Sequence, residues 1–148
     1  MLSKRAKYAI QAMIRLAKEK DHGPLVIGEI SEREHIPKKF LESILLELKN
    51  AGFVNSRKGR RGGYYLIKDP DEVNMADIHR IFDGAIALLP CVTYQYYERC
   101  EECQDEKTCA IRSAIKEVRD ATVNIMKRYT LKELVEKEHE LETLTDFG

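Results

Sequence analysis

The six residues Lys58-Gly59-Arg60-Arg61-Gly62-Gly63 leave few options for the middle of this chain. Its glycines allow the positive φ angles of a tight hairpin. On either side lie short runs rich in β-branched and aromatic residues, Phe53-Val54-Asn55-Ser56-Arg57 before and Tyr64-Tyr65-Leu66-Ile67 after. The segment therefore predicts two short strands with the cations Arg57, Lys58, Arg60 and Arg61 at the tip. It is no nucleotide-binding loop, since G-x-x-x-x-G-K-[ST] is absent. A solvated hairpin that is basic by accident is the plain alternative, so the weight falls on what precedes it.

What precedes it is helical. Tyr8, Ala9, Ala12, Met13, Leu16 and Ala17 recur at helical spacing, and Asp21-His22-Gly23-Pro24 breaks that helix. A short helical segment containing Ile27, Ile30 and Ser31 ends at His35-Ile36-Pro37. Pro37 suits the first turn of a following helix, where Phe40, Leu41, Ile44, Leu45 and Leu48 form one apolar stripe and Gly52 is a stop signal. Two helices joined by a short turn fit helix-turn-helix geometry. With the basic hairpin directly after them, residues 1–68 read as a winged helix-turn-helix DNA-binding domain, mainly α with a small β-hairpin wing.

Such a domain places the N-terminal end of its second helix in the major groove. Lys38, Lys39, Phe40, Glu42 and Ser43 stand at that end. A carboxylate there is repelled by phosphates unless it accepts from a cytosine amino group, which makes Glu42 a candidate base reader; a surface residue paired with a nearby lysine is the alternative. Arg57 and Lys58 suit phosphate positioning, and Arg60 or Arg61 suits insertion into a minor groove.

The charge is divided along the chain. Lys+Arg and Asp+Glu number 25 each, yet residues 1–68 hold 15 basic and 7 acidic side chains, a balance of +8. Residues 69–148 hold 10 and 18, a balance of −8. The first half seeks anions and the second must do something else. No apolar run approaches the roughly 18 residues of a membrane span, and Met1-Leu2-Ser3-Lys4 leads into no signal-peptide core. A cytoplasmic protein with no membrane partner is the expectation.

In the acidic half, Ala76 to Phe82 reads as a short amphipathic helix closed by Asp83-Gly84, and Ile86 to Pro90 leads into a loop at about residues 88–109. Beyond it Ile111, Ile115, Val118, Thr122, Ile125 and Tyr129 alternate steps of four and three, an a/d seam with Ala114 and Ala121 beside it. The seam suits a two-fold dimer, which would span two half-sites of a palindromic double-stranded DNA operator; packing on the chain's own core is the alternative. Thr130 to Val135 begins a last helix, and the acidic tail from Glu136 is expected to be solvated.

All four cysteines lie in the loop, spaced Cys91-x8-Cys100-x2-Cys103-x5-Cys109. In a reducing cytosol, grouped thiols are more often metal ligands or redox groups than structural disulfides. Zinc usually takes two close pairs, and only Cys100-x2-Cys103 is one. Iron–sulfur sites tolerate irregular spacing, and a thiol–disulfide switch needs only two of the four. An iron–sulfur cluster leads, with zinc, a metal-free switch or structural cysteines behind it. Tyr94, Tyr96 and Tyr97 could shield a centre or simply cap the loop; His22, His35, His79 and His139 read as ordinary residues.

The run Ile30-Ser31-Glu32-Arg33, Phe40-Leu41-Glu42, Ala51-Gly52-Phe53-Val54 and Gly59-x-x-Gly62-Gly63-Tyr64-x-Leu66 resembles the IscR/NsrR-like winged helix-turn-helix transcription regulators of bacteria. Asp77-Ile78, Asp83-Gly84 and Thr130-Leu131-x-Glu133-Leu134 extend the resemblance over nearly the whole chain. It implies a homodimeric repressor or activator with long C-terminal helices crossed between subunits. Many members hold a [2Fe–2S] or [4Fe–4S] cluster through three cysteines ahead of the dimer helix, and sense iron, nitric oxide, oxygen or redox state. Phe40, Glu42 and the wing cations match positions that contact DNA in such proteins. The cysteine pattern departs from the best-known C-x5-C-x5-C form: only Cys103-x5-Cys109 keeps that interval, and Arg112 stands where one branch has a histidine. Cys91 or Cys100 could take the missing ligand's place.

The resulting expectation is a transcription regulator with no catalytic activity and no small-molecule substrate. Residues 1–68 would bind DNA, and residues 69–148 would carry the cysteine site and the dimer helix. A winged-helix protein-interaction module with structural zinc is the alternative.

Overall fold

The computed structural model describes residues 2–146. Helix α1 (Lys4–Lys18) begins where Ser3 Oγ accepts from the Ala6 N–H at 3.1 Å. A short 3-10 turn and Gly23, at φ +93°, break the chain as its pattern predicts. Helix α2 (Ile27–Glu34) stops at His35, which takes a left-handed φ of 53°. Ser31 Oγ then donates to the Ile36 carbonyl at 2.6 Å and closes the turn.

Pro37 caps helix α3 (Lys38–Asn50) one position earlier than the first-turn site its chemistry predicts. Its carbonyl accepts from the Leu41 N–H at 3.0 Å, and its missing donor costs nothing there. Leu41, Ile44, Leu45 and Leu48 are fully buried, but Phe40 leaves the stripe and is 44% exposed. One residue is about 100° of helix, so the face that buries Leu41 and Leu48 turns Phe40 outward, where its ring meets Tyr8 edge-on at 6.1 Å.

Strand β1 (Val54–Arg57) pairs antiparallel with β2 (Gly63–Leu66), Val54 opposite Leu66 and Arg57 opposite Gly63. The structure adds a rung outside the two-strand pattern: Leu25 N–H donates to the Tyr64 carbonyl at 2.9 Å, and Tyr64 N–H to the Leu25 carbonyl at 2.7 Å. Gly63 sits at this crossing with φ +136°, and a Cβ there would lie 2.3 Å from Leu25 backbone atoms. A Cβ on Gly62 would meet the Arg57 carbonyl oxygen at the same 2.3 Å.

Helix α4 (Met75–Asp83) opens with a capping box, in which Asn74 Oδ1 accepts from the Asp77 N–H at 3.0 Å and the Asp77 carboxylate accepts from the Asn74 N–H. Helix α6 (Leu131–Asp146) starts beside it, with Leu131 N–H donating to the Val73 carbonyl at 2.8 Å. Val73, Ile78 and Leu131 thereby join the cluster formed by Met13, Ile30, Leu41, Leu45 and Val54. Helix α1 packs on α3, α4 and α6 together, and Lys18 pairs with Glu138 of α6 at 2.8 Å. Asp83 Oδ2 accepts from the Ser3 N–H at 2.9 Å. Burial would raise that carboxyl, but its bonds to Ser3 and the nearby His79 outweigh burial and hold it below the usual carboxylate range.

Helix α5 (Ala110–Arg128) touches the body through a narrow face, and only Arg119 and Val123 of it are buried. Its a/d seam looks outward: Ile111, Val118 and Ile125 are 68%, 44% and 47% exposed. The tail beyond Glu136 continues α6 as a largely solvated helix; residues 147–148 of that tail lie outside the described residues.

Candidate nucleic-acid interface and cysteine cleft

The sequence places Lys38, Lys39, Phe40, Glu42 and Ser43 at the start of α3, and the structure leaves all five exposed around the buried anchor Leu41. No side chain caps this end of α3 and no acid stands in its first turn, so its free N–H groups and helix dipole favour an anion. Lys38, Glu42, Ser56, Arg57 and Lys58 line one open cleft of about 530 Å³, which puts the helix end and the turn-proximal part of the wing strands on one surface. Arg60 and Arg61 lie exposed beyond it at the hairpin tip.

The ion pairs separate two kinds of cation. Arg5, Arg15, Lys18, Lys20 and Arg33 each meet a carboxylate. Lys38, Lys39, Arg57, Lys58, Arg60 and Arg61 do not pair among the described residues. Glu42 is likewise without an ion pair among them. These six lie on the surface that the α3–wing geometry presents, although Lys4, Lys7, Lys49 and Lys68 also lack an ion pair among the described residues. Ser43 is different, because its Oγ already accepts from Arg5 Nη2 at 2.9 Å, while Arg5 also pairs with Glu47 at 2.5 Å. No local spacing announces Arg5 as a neighbour of α3, since 38 positions separate it from Ser43.

All four cysteines line a second cleft, of about 420 Å³, between the 3-10 turn Pro90–Val92 and the first turn of α5. Cys91 is buried in that turn, Cys100 is exposed, and Cys103 and Cys109 are half-buried; all are free thiols. Cys109 is the N-cap of α5, its Sγ accepting from the Arg112 N–H at 3.4 Å. Desolvation first, then Cys91, Cys103 and Glu102, push the Cys100 thiol above its usual range. Soft sulfur donors on one cleft suit zinc or an iron–sulfur cluster. The donor set fits such a centre, although no three His, Cys, Asp or Glu side chains lie in metal-holding geometry among the described residues.

The tyrosines do not line this cleft. Tyr94 and Tyr97 donate to Asp120 and Glu106, and Tyr96 is 84% exposed with a left-handed φ of 62°. None of the four histidines lines it either. A helix-period reading misses Arg119, an 8% exposed cation in the middle of α5 whose Nη1 donates to the Val92 carbonyl. Nothing in its spacing marks it, because Val92 and Tyr94, which hold it inward, come from the loop.

No helix among the described residues is long and apolar enough to cross a membrane. Residues 2–137 match the family model described as Rrf2, iron-dependent transcriptional regulator. The chain is 41% identical to an rrf2-like HTH-type transcriptional regulator of Rhodobacter capsulatus, over 91% of this chain and 92% of that one. It is 34% identical to the HTH-type transcriptional regulator CymR of Bacillus subtilis, over 82% and 84% of the two chains. The solved structure of that CymR, called the global cysteine regulator, superposes with a TM-score of 0.78 at 29% identity, covering 93% of this chain and 97% of CymR. An oxidized form of Staphylococcus aureus CymR superposes at 0.70 with 27% identity, over 92% and 96%.

Proposed function

Because the chain belongs to the Rrf2 family of DNA-binding transcription regulators, we propose that it acts in the cytoplasm as a homodimer whose grip on a palindromic operator answers to a cysteine-ligated centre. The carrying observation is positional: four thiols open onto one cleft at the foot of α5, the helix whose apolar seam faces outward. A change at the thiols would therefore act on the element that sets the distance between two DNA-binding units.

In this reading residues 1–68 form the DNA-binding unit, and residues 69–148 the dimer and sensing unit. Lys38, Lys39 and Phe40 enter the major groove, with Glu42 accepting from a base edge and Ser43 and Arg5 together supporting the helix end. Arg57 and Lys58 hold phosphates, and Arg60 or Arg61 reaches a minor groove. The seam of α5 pairs with its copy, which covers Ile111, Val118 and Ile125.

Cys91, Cys100, Cys103 and Cys109 supply the ligands for a [2Fe–2S] or [4Fe–4S] centre. When bound, such a cluster supplies iron that responds to redox state and to small diatomic ligands. The family description as iron-dependent supports iron over zinc. The oxidized form of the Staphylococcus aureus neighbour favours a second reading, a metal-free thiol switch at the same residues.

Iron, acid-labile sulfide and zinc per chain, measured on protein purified without oxygen, separate these. Iron with matching sulfide is the expected result. About one zinc per chain makes the site structural or thiol-reactive. Neither metal, with failed reconstitution, leaves the thiol switch.

A further inference from the structure

Resting on that reading, we propose that Arg112 and Arg119 are positioning residues, a two-point clamp through which a change at the cysteine cleft reaches the seam of α5. Seven residues are about two helical turns, so both side chains leave α5 on one side. Arg112 Nε donates to the Cys91 carbonyl at 3.3 Å, and Arg119 Nη1 donates to the next carbonyl, that of Val92. Both of those residues are buried, Cys91 at 4% exposure and Val92 at 1%.

The inner contact is locked on further sides. The Arg119 guanidinium stacks over the Tyr94 ring at 4.0 Å. Its Nε and Nη2 reach Asp120 Oδ1 at 2.9 and 2.8 Å, and the Tyr94 hydroxyl donates to the same oxygen at 2.9 Å. Arg119 and Tyr94 hold the Asp120 carboxyl below its usual range. A buried guanidinium with its donors engaged cannot shift without leaving some unpaired, which is costly. Residues 91–94 and α5 therefore move as one body.

One end of this body is a cleft thiol. The other reaches the seam, because Arg119 also lines, with Val118 and Thr122, an apolar groove of about 480 Å³ beside it. A rearrangement that moves the main chain at Cys91 is passed along α5 rather than absorbed by the loop.

The test uses the full chain with R112Q, R119K and both. Lysine keeps the charge but cannot reach a carbonyl and a carboxylate at once. Iodoacetamide labelling of Cys91 relative to exposed Cys100, mapped by mass spectrometry, reports whether the clamp is open. Affinity for a DNA fragment selected by the wild type is measured with the thiols free and after carboxamidomethylation. We expect wild-type affinity to change several-fold on modification. In the double variant that ratio should collapse towards one, while Cys91 labels several-fold faster and Cys100 labels unchanged.

A double variant with fast Cys91 labelling and the wild-type affinity ratio overturns the clamp alone. A wild-type ratio of one removes the sensing reading and the clamp with it. R112Q, which gives up only a half-buried hydrogen bond, carries the same comparison should R119K fail to fold.

Discussion

At Gly63 the wing backbone runs so close to Leu25 that a side chain has no place to go, and φ +136° is strained for any L residue. Gly63→Ala is expected to destabilise the fold by roughly 1–3 kcal/mol in urea melts, whereas Gly59→Ala, with open space around it but φ +106°, should cost less. Asp83 tests a second contact. Its folded pKa lies below the ordinary 3.8, so its contribution is full above that value and disappears as pH falls through the folded pKa. Asp83→Asn should cost about 1 kcal/mol near neutral pH, and that difference should shrink as pH falls below 3.8, measured as paired melts. The glycine run is visible in the sequence as a hairpin signal, but the reason Gly63 cannot vary is a strand rung to Leu25, and nothing in the run points there. Phe40 shows the opposite limit: its apolar character places it in the stripe, and its actual angle on α3 places it on the surface beside Tyr8.

Among the elements, helices were legible wherever an apolar period met a cap or a breaker. The start of α1 at Ser3 lies ahead of the apolar period that marks the helix, but Gly23 breaks the chain after it. The ends of α2 and α3 fall at His35 and Gly52, both local signals. The wing was legible for the same reason, and its two arginines carry a prediction. Arg60→Ala with Arg61→Ala should weaken operator binding, and the slope of log affinity against log salt should become shallower by up to about 0.9 for each phosphate no longer neutralised. An unchanged slope in a filter-binding or fluorescence titration would take the wing out of the interface. The long helix is different, because the a/d pattern of α5 cannot say whether it packs inside one chain or between two. The structure leaves Val118 and Ile125 exposed, with Arg119 and Val123 turned inward. Val118→Glu with Ile125→Glu should therefore yield a folded monomer by sedimentation, with helical circular dichroism retained and operator affinity lowered. A dimer that survives both charges would move the interface elsewhere.

For the molecule as a whole, the +8 and −8 halves are not separate bodies in the core: Val73, Ile78 and Leu131 complete the cluster begun by α1 and α3. Burial at that shared core joins α1 and α3 to α4 and α6, and α4 in turn packs on α5. Cys103→Ala should abolish any difference in operator affinity between the loaded and emptied centre, read as two binding isotherms on anaerobic protein. A difference that persists would assign control to the other thiols. Periodicity, turn chemistry and charge division are local properties of a chain, so the order of elements, the basic wing, the a/d seam and the cysteine-rich loop could be read from residue order alone. The outward turn of that seam, the rung between Leu25 and Tyr64, the grip of Arg119 on Val92, the placement of Arg5 against Ser43 and the gathering of four thiols on one cleft were decided only by tertiary structure. Most of these contacts join residues tens of positions apart, and their approach depends on how helices pack rather than on any spacing within them.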